Sequence, residues 1–191
     1  MAVLSAPFTE EKIRLLRVGE MVEIAGVICT GRDAVHKWIM DGKEVPVDLT
    51  GSMLYHCGPV VVQEEGRWVV KAAGPTTSIR EEPYEYEVIR RHKLRGIIGK
   101  GGMGPQTLRA CQEFGCVYLH AIGGAAQVLA QSIREVLGVA LLAELGSPEA
   151  IWQLRVEGFP AVVTMDARGN SLHAEVAEDS RQRLGPLLAR G

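Results

Sequence analysis

The middle of the chain, residues 94–122, reads LRGIIGKGGMGPQTLRACQEFGCVYLHAI. The apolar segment 94–98 predicts a strand, and a glycine-rich loop follows it. A helix is then predicted at 105–114, because proline stands at its start and Gly115 just after its end. The segment 116–122 predicts a second buried strand. A strand, a crossover helix and another strand predict two parallel neighbours in one sheet.

The flanking segments extend this α/β pattern in both directions. Strands are predicted at 21–28, 54–62, 67–73, 151–156 and 161–166, and helices at 32–40, 81–93 and 125–145. A turn at Gly169 predicts a hairpin to residues 171–174. The sequence therefore predicts one α/β domain over residues 1–191, with parallel and antiparallel strands and a peripheral tail at 175–191.

The composition is that of a globular protein, with 47% apolar and 23% charged residues. The net charge of −2 gives no electrostatic reason to expect nucleic acid or an anionic membrane as partner. No apolar run reaches the ~20 residues of a membrane helix, and the N-terminus becomes acidic too early for a secretory signal. We therefore expect a cytoplasmic protein.

The cysteines do not form a recognisable set of metal ligands. Cys111 and Cys116 have the first spacing of a plant-type ferredoxin motif, but Leu119 stands where the third ligand would be. Cys29 and Cys57 lie far away in apolar runs. We predict four buried free thiols, and no metal or cluster bound by this chain.

Two loops carry candidate anion-binding groups. Arg32 stands at the predicted start of a helix, where an arginine can grip a carboxylate, although Asp33 could simply cap that helix. The loop 74–80, GPTTSIR, offers three hydroxyls and Arg80 within a few residues. An ordinary turn whose hydroxyls cap the next helix would have the same sequence features. Spacing therefore leaves both an anion-binding loop and a capping turn open.

The glycine-rich loop adds Lys100 and resembles more than one known motif. Gly99, Gly101 and Gly104 fit the dinucleotide fingerprint, but no acidic residue follows about 20 positions later. Residues 97–102, IIGKGG, match the clamp loop of KH-type RNA-binding domains, although Pro105 replaces an aliphatic residue and no basic stripe surrounds the loop.

Six segments in order resemble the beta region of class I, iron–sulfur-dependent fumarases and L-tartrate dehydratases. They are residues 16–20 (LRVGE), 30–37 (TGRDAVHK), 55–59 (YHCGP), 74–80 (GPTTSIR), 99–103 (GKGGM) and 159–166 (FPAVVTMD). The resemblance implies a swivelling β/β/α fold of three layers, with a mainly parallel central sheet and a second, antiparallel sheet. It implies a beta subunit that acts with an alpha subunit, in an α2β2 assembly, on a four-carbon dicarboxylate.

The resemblance also assigns roles to residues. Thr76 matches the family's proposed catalytic base, and Arg32, Arg80 and Lys100 match its substrate-binding groups. The [4Fe-4S] cluster belongs to the alpha subunit in this family. One departure is visible, because Glu81 and Glu82 stand where relatives often have Met-Asp.

Three interpretations stay open beside reversible hydration of fumarate to L-malate. Within the same chemistry, the chain could be an L-tartrate dehydratase beta subunit. The glycine loop alone would suit a KH-like RNA-binding module. A scaffold protein with the enzyme's fold and no partner is the third.

Overall fold

The computed structural model describes residues 2–188, the last four of them by backbone alone. The strands are β1 (Ala2–Ser5), β2 (Met21–Thr30), β3 (Met53–Tyr55), β4 (Val60–Glu64), β5 (Arg67–Ala72), β6 (Gly96–Gly99), β7 (Val117–His120), β8 (Ile133–Ala140) and β9 (Ile151–Met165). The α-helices are α1 (Glu10–Leu15), α2 (Asp33–Met40), α3 (Glu82–His92), α4 (Pro105–Phe114), α5 (Ala126–Gln131), α6 (Leu142–Leu145) and α7 (Leu172–Leu188), with a 3₁₀ helix at Ser78–Glu81.

The central sheet has the strand order β1-β2-β3-β6-β7-β9-β8. The pairs from β1 to β7 are parallel, whereas β9 runs antiparallel to β7, β8 and β2. Because β9 pairs with both β7 and β2, strands β2, β3, β6, β7 and β9 form a closed ring. The carboxyl ends of the parallel strands β2, β3, β6 and β7 therefore meet at one edge, here called the carboxyl edge.

Apolar side chains cover both faces of this sheet. Helices α2, α3 and α4 pack on one face, through residues such as Val35, Val88 and Ala110. The hairpin β4–β5 and helix α5 pack on the other, through residues such as Trp68 and Leu129. These layers confirm the predicted α/β architecture, with a mainly parallel central sheet and a separate two-stranded antiparallel sheet.

The central segment folds as its sequence predicts. All four residues of β6 are buried, as expected for a strand in the middle of a parallel sheet. Helix α4 begins at Pro105, and Gly115 ends it with a φ of 67°, in the left-handed region that glycine favours.

The long helix predicted at 125–145 is wrong. The structure has the short helices α5 and α6 there, with strand β8 between them. Ile133, Val136 and Val139 are three residues apart, which is a helical spacing. In β8, bulges between Ile133 and Glu135 and between Val136 and Gly138 let residues at this spacing pack on the same core.

Other predicted elements also differ from the structure. The two strands predicted at 151–156 and 161–166 are one continuous strand, β9. The strand predicted at 54–62 is interrupted at Gly58-Pro59, so that β3 joins the central sheet and β4 joins the hairpin. Beyond the turn at Gly169, Ser171 makes a single bridge to Met165 and α7 begins at Leu172, so the strand predicted at 171–174 is absent.

The predicted tail falls mainly within α7, where residues 174–184 are exposed; residues 189–191 lie outside the described residues. The assignment of the whole chain to one domain stays a prediction. Among the described helices, none combines the length and the apolar character that crossing a membrane requires.

Candidate active site at the carboxyl edge

The carboxyl edge brings Thr76 and Lys100 together. Lys100 directly follows β6, and its backbone N–H donates to the Thr76 carbonyl over 3.3 Å. The Thr76 N–H donates in turn to the carbonyl of His56, just after β3, over 2.7 Å. Thr76 follows β5, which belongs to the separate hairpin and not to the parallel sheet. It reaches the edge through these backbone hydrogen bonds.

Arg32 and Arg80 meet at the carboxylate of Asp33. The Asp33 Oδ2 atom accepts from Nη2 of Arg80 over 2.8 Å and lies 4.0 Å from Nη2 of Arg32. The Asp33 side chain thus binds a guanidinium and does not cap α2, whose N-cap residue is Arg32. Two cationic groups, from the ends of β2 and of the 75–80 loop, are held side by side.

Glu149 is a neighbour of this pair that sequence reasoning missed. Its Oε1 atom lies 3.3 Å from Nε of Arg32, and its Oε2 atom accepts from the Ala34 N–H over 3.1 Å, in the first turn of α2. Gly58 makes room for the arginine, because a Cβ there would lie 2.5 Å from Nη1 of Arg32. Glu149 and Gly58 therefore fix the course of the Arg32 side chain.

The Lys100 side chain lies at the same edge. It runs past Gly123, and none of the ion pairs found within residues 2–188 involves it. This location beside Thr76 gives no support to an RNA clamp built on the glycine loop. Whether Thr76, Arg32, Arg80 and Lys100 contact a substrate stays a prediction.

Glu82, part of the departure from the family pattern, supports the glycine loop. Its carboxylate accepts from the N–H groups of Gly104 and Gln106, each over 2.8 Å, and from the Thr107 hydroxyl over 2.6 Å. It thereby caps the start of α4. At Gly102, φ is 80° and a Cβ would lie 2.6 Å from the His173 ring, so this turn requires glycine.

Behind the arginines lies a buried cluster of His36, His56 and Glu85, which the sequence did not reveal. The Glu85 Oε2 atom is 3.0 Å from Nε2 of His36 and 3.1 Å from Nε2 of His56. Burial opposes ionisation of all three groups. The two histidines nevertheless lower the pKa of Glu85 to about 2, and Glu85 raises the pKa of His36 to about 9. Burial lowers the pKa of His56, which leaves one buried ion pair and one neutral imidazole.

Glu81 is a second buried carboxyl next to this cluster. It is fully buried, and neither of its oxygens has a hydrogen-bond partner. Burial raises the pKa of Glu81 to about 7, although the charges of His36 and Arg80 act in the opposite direction. Near neutral pH this carboxyl therefore holds a proton that an exposed glutamate would have lost.

We predict that the native chain loses stability as the pH rises and that the Glu81→Gln variant does not show this loss. The unfolded glutamate ionises near pH 4.5 and the folded one near pH 7. The free energy of unfolding of the native chain should therefore fall between these values, by about 3 kcal/mol, relative to a variant that cannot ionise. Urea unfolding of both chains at pH 5 and pH 8 measures this, and parallel losses in the two chains would contradict it.

The cysteines do not fit an iron–sulfur cluster. Cys29, Cys57, Cys111 and Cys116 are buried free thiols, as predicted. Burial raises the pKa of the Cys29 and Cys57 thiols to about 12. Within residues 2–188, the side chains grouped closely enough to hold a metal ion are His36, His56 and Glu85, without a cysteine.

Comparison with known proteins places this chain in a family. The model of the family described as "Fumarase C-terminus" matches residues 2–176. A Geobacillus stearothermophilus protein named for class I fumarate hydratase is 58% identical over 182 residues, which are 95% of this chain and 35% of that protein. The chain thus spans about a third of the length of that relative.

Two relatives of similar length carry another name. A Methanocaldococcus jannaschii protein named for the beta subunit of L(+)-tartrate dehydratase is 40% identical over 94% of this chain and 95% of its own length. The Escherichia coli K12 L(+)-tartrate dehydratase subunit beta is 35% identical over 97% and 93%. With a family model that covers residues 2–176 and these relatives of matching length, the chain belongs to the Fumarase C-terminus family.

Proposed function

We propose that the chain is the beta subunit of a two-subunit, iron–sulfur-dependent hydro-lyase that reversibly hydrates fumarate to L-malate. The observation that carries this proposal is the carboxyl edge, where Thr76, Lys100 and the arginine pair are presented by adjacent loops. The identity of 58% to a relative named for class I fumarate hydratase favours fumarate as substrate.

An L-tartrate dehydratase beta subunit is the second candidate. It is favoured by length, since the relatives named for that subunit match this chain over 93% to 95% of their own sequences. Both reactions break a C–O bond in a four-carbon dicarboxylate and remove a proton from the neighbouring carbon. The same residues at the carboxyl edge would serve either substrate.

The residues of this chain have definite roles in the proposed reaction. Arg32 and Arg80 bind a substrate carboxylate through charge-assisted hydrogen bonds, while Asp33 keeps the two guanidinium groups adjacent. In the dehydration direction, the alkoxide form of Thr76, which nearby cations would stabilise, takes the proton from the carbon beside that carboxylate. Negative charge accumulates on the carboxylate and is discharged when hydroxide leaves the neighbouring carbon. The cations nearby, with Lys100 among them, stabilise this charge more strongly in the transition state than in the substrate.

The alpha subunit supplies what this chain does not hold. The four cysteines are buried, and none of them belongs to the group of side chains in the described residues that could hold a metal ion, so we assign the [4Fe-4S] cluster to the partner, where it would supply Lewis-acid chemistry. The half-buried Lys100 and the half-exposed Arg80 then face a site that the partner completes, in an α2β2 assembly in the cytoplasm.

Anaerobic reconstitution tests this proposal. The isolated chain should contain no iron and show no hydratase activity, because it has no ligand set for a cluster. Addition of an alpha subunit carrying a cluster should produce activity on malate and fumarate, or on L-tartrate if the second candidate holds. An iron-loaded chain purified alone would contradict the assignment of the cluster to the alpha subunit. A reconstituted complex that is inactive on all three substrates would contradict the proposed function.

A further inference from the structure

The buried cluster connects the loops that carry the predicted site residues. The Nδ1 atom of His36 donates to the Arg32 carbonyl over 2.8 Å, and the Nδ1 atom of His56 lies 2.9 Å from the Ser78 hydroxyl. Glu85 lies between the two rings. One chain of contacts therefore runs from the end of β2 to the 3₁₀ helix that contains Arg80.

The same chain reaches the other two site residues through the backbone. The His56 carbonyl accepts from the Thr76 N–H, and the Ser78 N–H donates to the Lys100 carbonyl over 3.0 Å. Gly99 allows this approach, because a Cβ at that position would collide with the Ser78 hydroxyl. Beyond Ser78, the Tyr118 hydroxyl donates to the same oxygen over 2.9 Å.

The hydrogen-bond partners fix the charges within the cluster. A backbone carbonyl can only accept, so Nδ1 of His36 carries a proton, and Nε2 of the same ring faces a carboxylate oxygen and carries another. His36 is therefore an imidazolium paired with an ionised Glu85. His56 can stay neutral, because the Ser78 hydroxyl, which accepts from Tyr118, can donate to its Nδ1 atom.

The cluster itself cannot contact a substrate. His36, His56, Ser78 and Glu85 are all fully buried in this chain. The Glu85 Oε2 atom forms a hydrogen-bonded ion pair with Nε2 of His36 over 3.0 Å and lies in close contact with Nε2 of His56 at 3.1 Å. Any influence on the reaction must therefore pass through the backbone of Arg32 and of the 76–80 segment.

We propose that Glu85 is a positioning residue, which with His36 and His56 forms a metal-free ion-pair clamp that holds Arg32 and the Thr76 loop in the geometry that turnover needs. This inference rests on the proposed function. Catalysis is sensitive to misplacement of about 1 Å, which can lower the rate 10²-fold, whereas a flexible arginine can still bind a carboxylate from a shifted backbone. Loss of the clamp should therefore lower kcat more than it raises KM.

The test compares Glu85→Gln with Arg95→Met in the reconstituted complex. Arg95 is mostly buried at the opposite edge of the sheet, where it donates to the Gly115 carbonyl and pairs with Glu10. Its loss should destabilise the chain without moving the carboxyl edge. We expect Glu85→Gln to lower kcat by about 10- to 100-fold with a much smaller rise in KM, and Arg95→Met to leave both near the wild-type values.

Two further readouts keep the inference testable if Glu85→Gln folds poorly or the complex is inactive. Tyr118→Phe removes one hydroxyl at the far end of the clamp and should also lower kcat more than it raises KM. Independently of activity, ¹⁵N-histidine NMR of the full chain should show one imidazolium, at His36, that becomes neutral in Glu85→Gln, and elemental analysis should find no stoichiometric metal. The clamp would be overturned if both Glu85→Gln and Tyr118→Phe kept the wild-type kcat, or if Arg95→Met lowered kcat equally. A neutral His36 or a bound metal ion would also overturn it. Wild-type inactivity on every dicarboxylate with the imidazolium present would instead count against the proposed function.

Discussion

Thr76→Val is expected to abolish turnover in the reconstituted enzyme while substrate binding stays close to the wild-type level. The substitution removes one hydroxyl at nearly constant volume, and loss of a positioned proton-transfer group typically lowers rates by about 10²- to 10⁴-fold. The backbone bonds of residue 76 to His56 and Lys100 do not involve the side chain, so the loop should keep its course. Steady-state kinetics, together with equilibrium binding of an unreactive dicarboxylate such as succinate, measures both quantities.

Thr77→Val is the matched control for this experiment. Thr77 is the next residue, and its side chain is exposed. Its backbone forms an isolated β-bridge with Lys100. Its hydroxyl makes no capping hydrogen bond to the 3₁₀ helix that follows. If Thr77→Val lowered kcat as much as Thr76→Val, or if Thr76→Val kept wild-type turnover, the assignment of proton transfer to Thr76 would be wrong.

Arg32→Ala should produce the second large effect, a decrease in kcat/KM equivalent to about 2–5 kcal/mol. In the proposed function, the variant removes a charge-assisted hydrogen bond to the substrate carboxylate. It also leaves Glu149 without its cation. Arg80→Ala should act in the same direction, but its half-exposed side chain predicts the smaller loss. Kinetics on malate and L-tartrate, with unfolding measured in parallel, separates lost binding from lost stability.

Arg134→Ala provides the comparison for the arginine variants. Arg134 is an exposed residue of β8 paired with Glu157, so its removal deletes a similar surface ion pair away from the carboxyl edge. It should leave kcat/KM unchanged, since exposed pairs contribute little. Equal kinetics in Arg32→Ala and Arg134→Ala would mean that Arg32 is an ordinary surface charge.

The parts of the fold that the sequence predicted correctly are those where local signals and packing agree. Proline and glycine mark both ends of α4, and the buried run of β6 lies where a parallel strand is expected. The prediction failed at β8, because two bulges allow a strand to bury residues at a helical spacing. Only the pairing with β9, which is distant in sequence, decides between the two structures.

Part of the candidate site could be predicted and part could not. Arg32, Arg80, Thr76 and Lys100 lie in loops whose residue types suit an anion. The groups that organise them were missed because their partners are distant in sequence. Glu149 reaches Arg32 from 117 positions away, and Glu85, on the same helix face as Val88 and Ile89, meets His36 from 49 positions away. Buried polar partners of this kind depend on tertiary contacts that spacing cannot reveal.

The closing of the ring by β9 has a consequence for the way the chain folds during synthesis. β2 and β7 each keep one unpaired edge until residues 151–165 have left the ribosome, because β9 is their shared neighbour. Contacts so distant in sequence form slowly, and open strand edges invite pairing with other chains. We therefore expect the nascent chain to pass through an aggregation-prone stage that ends when β9 is added, and variants that delay this step should lower the yield of folded protein before they alter its activity.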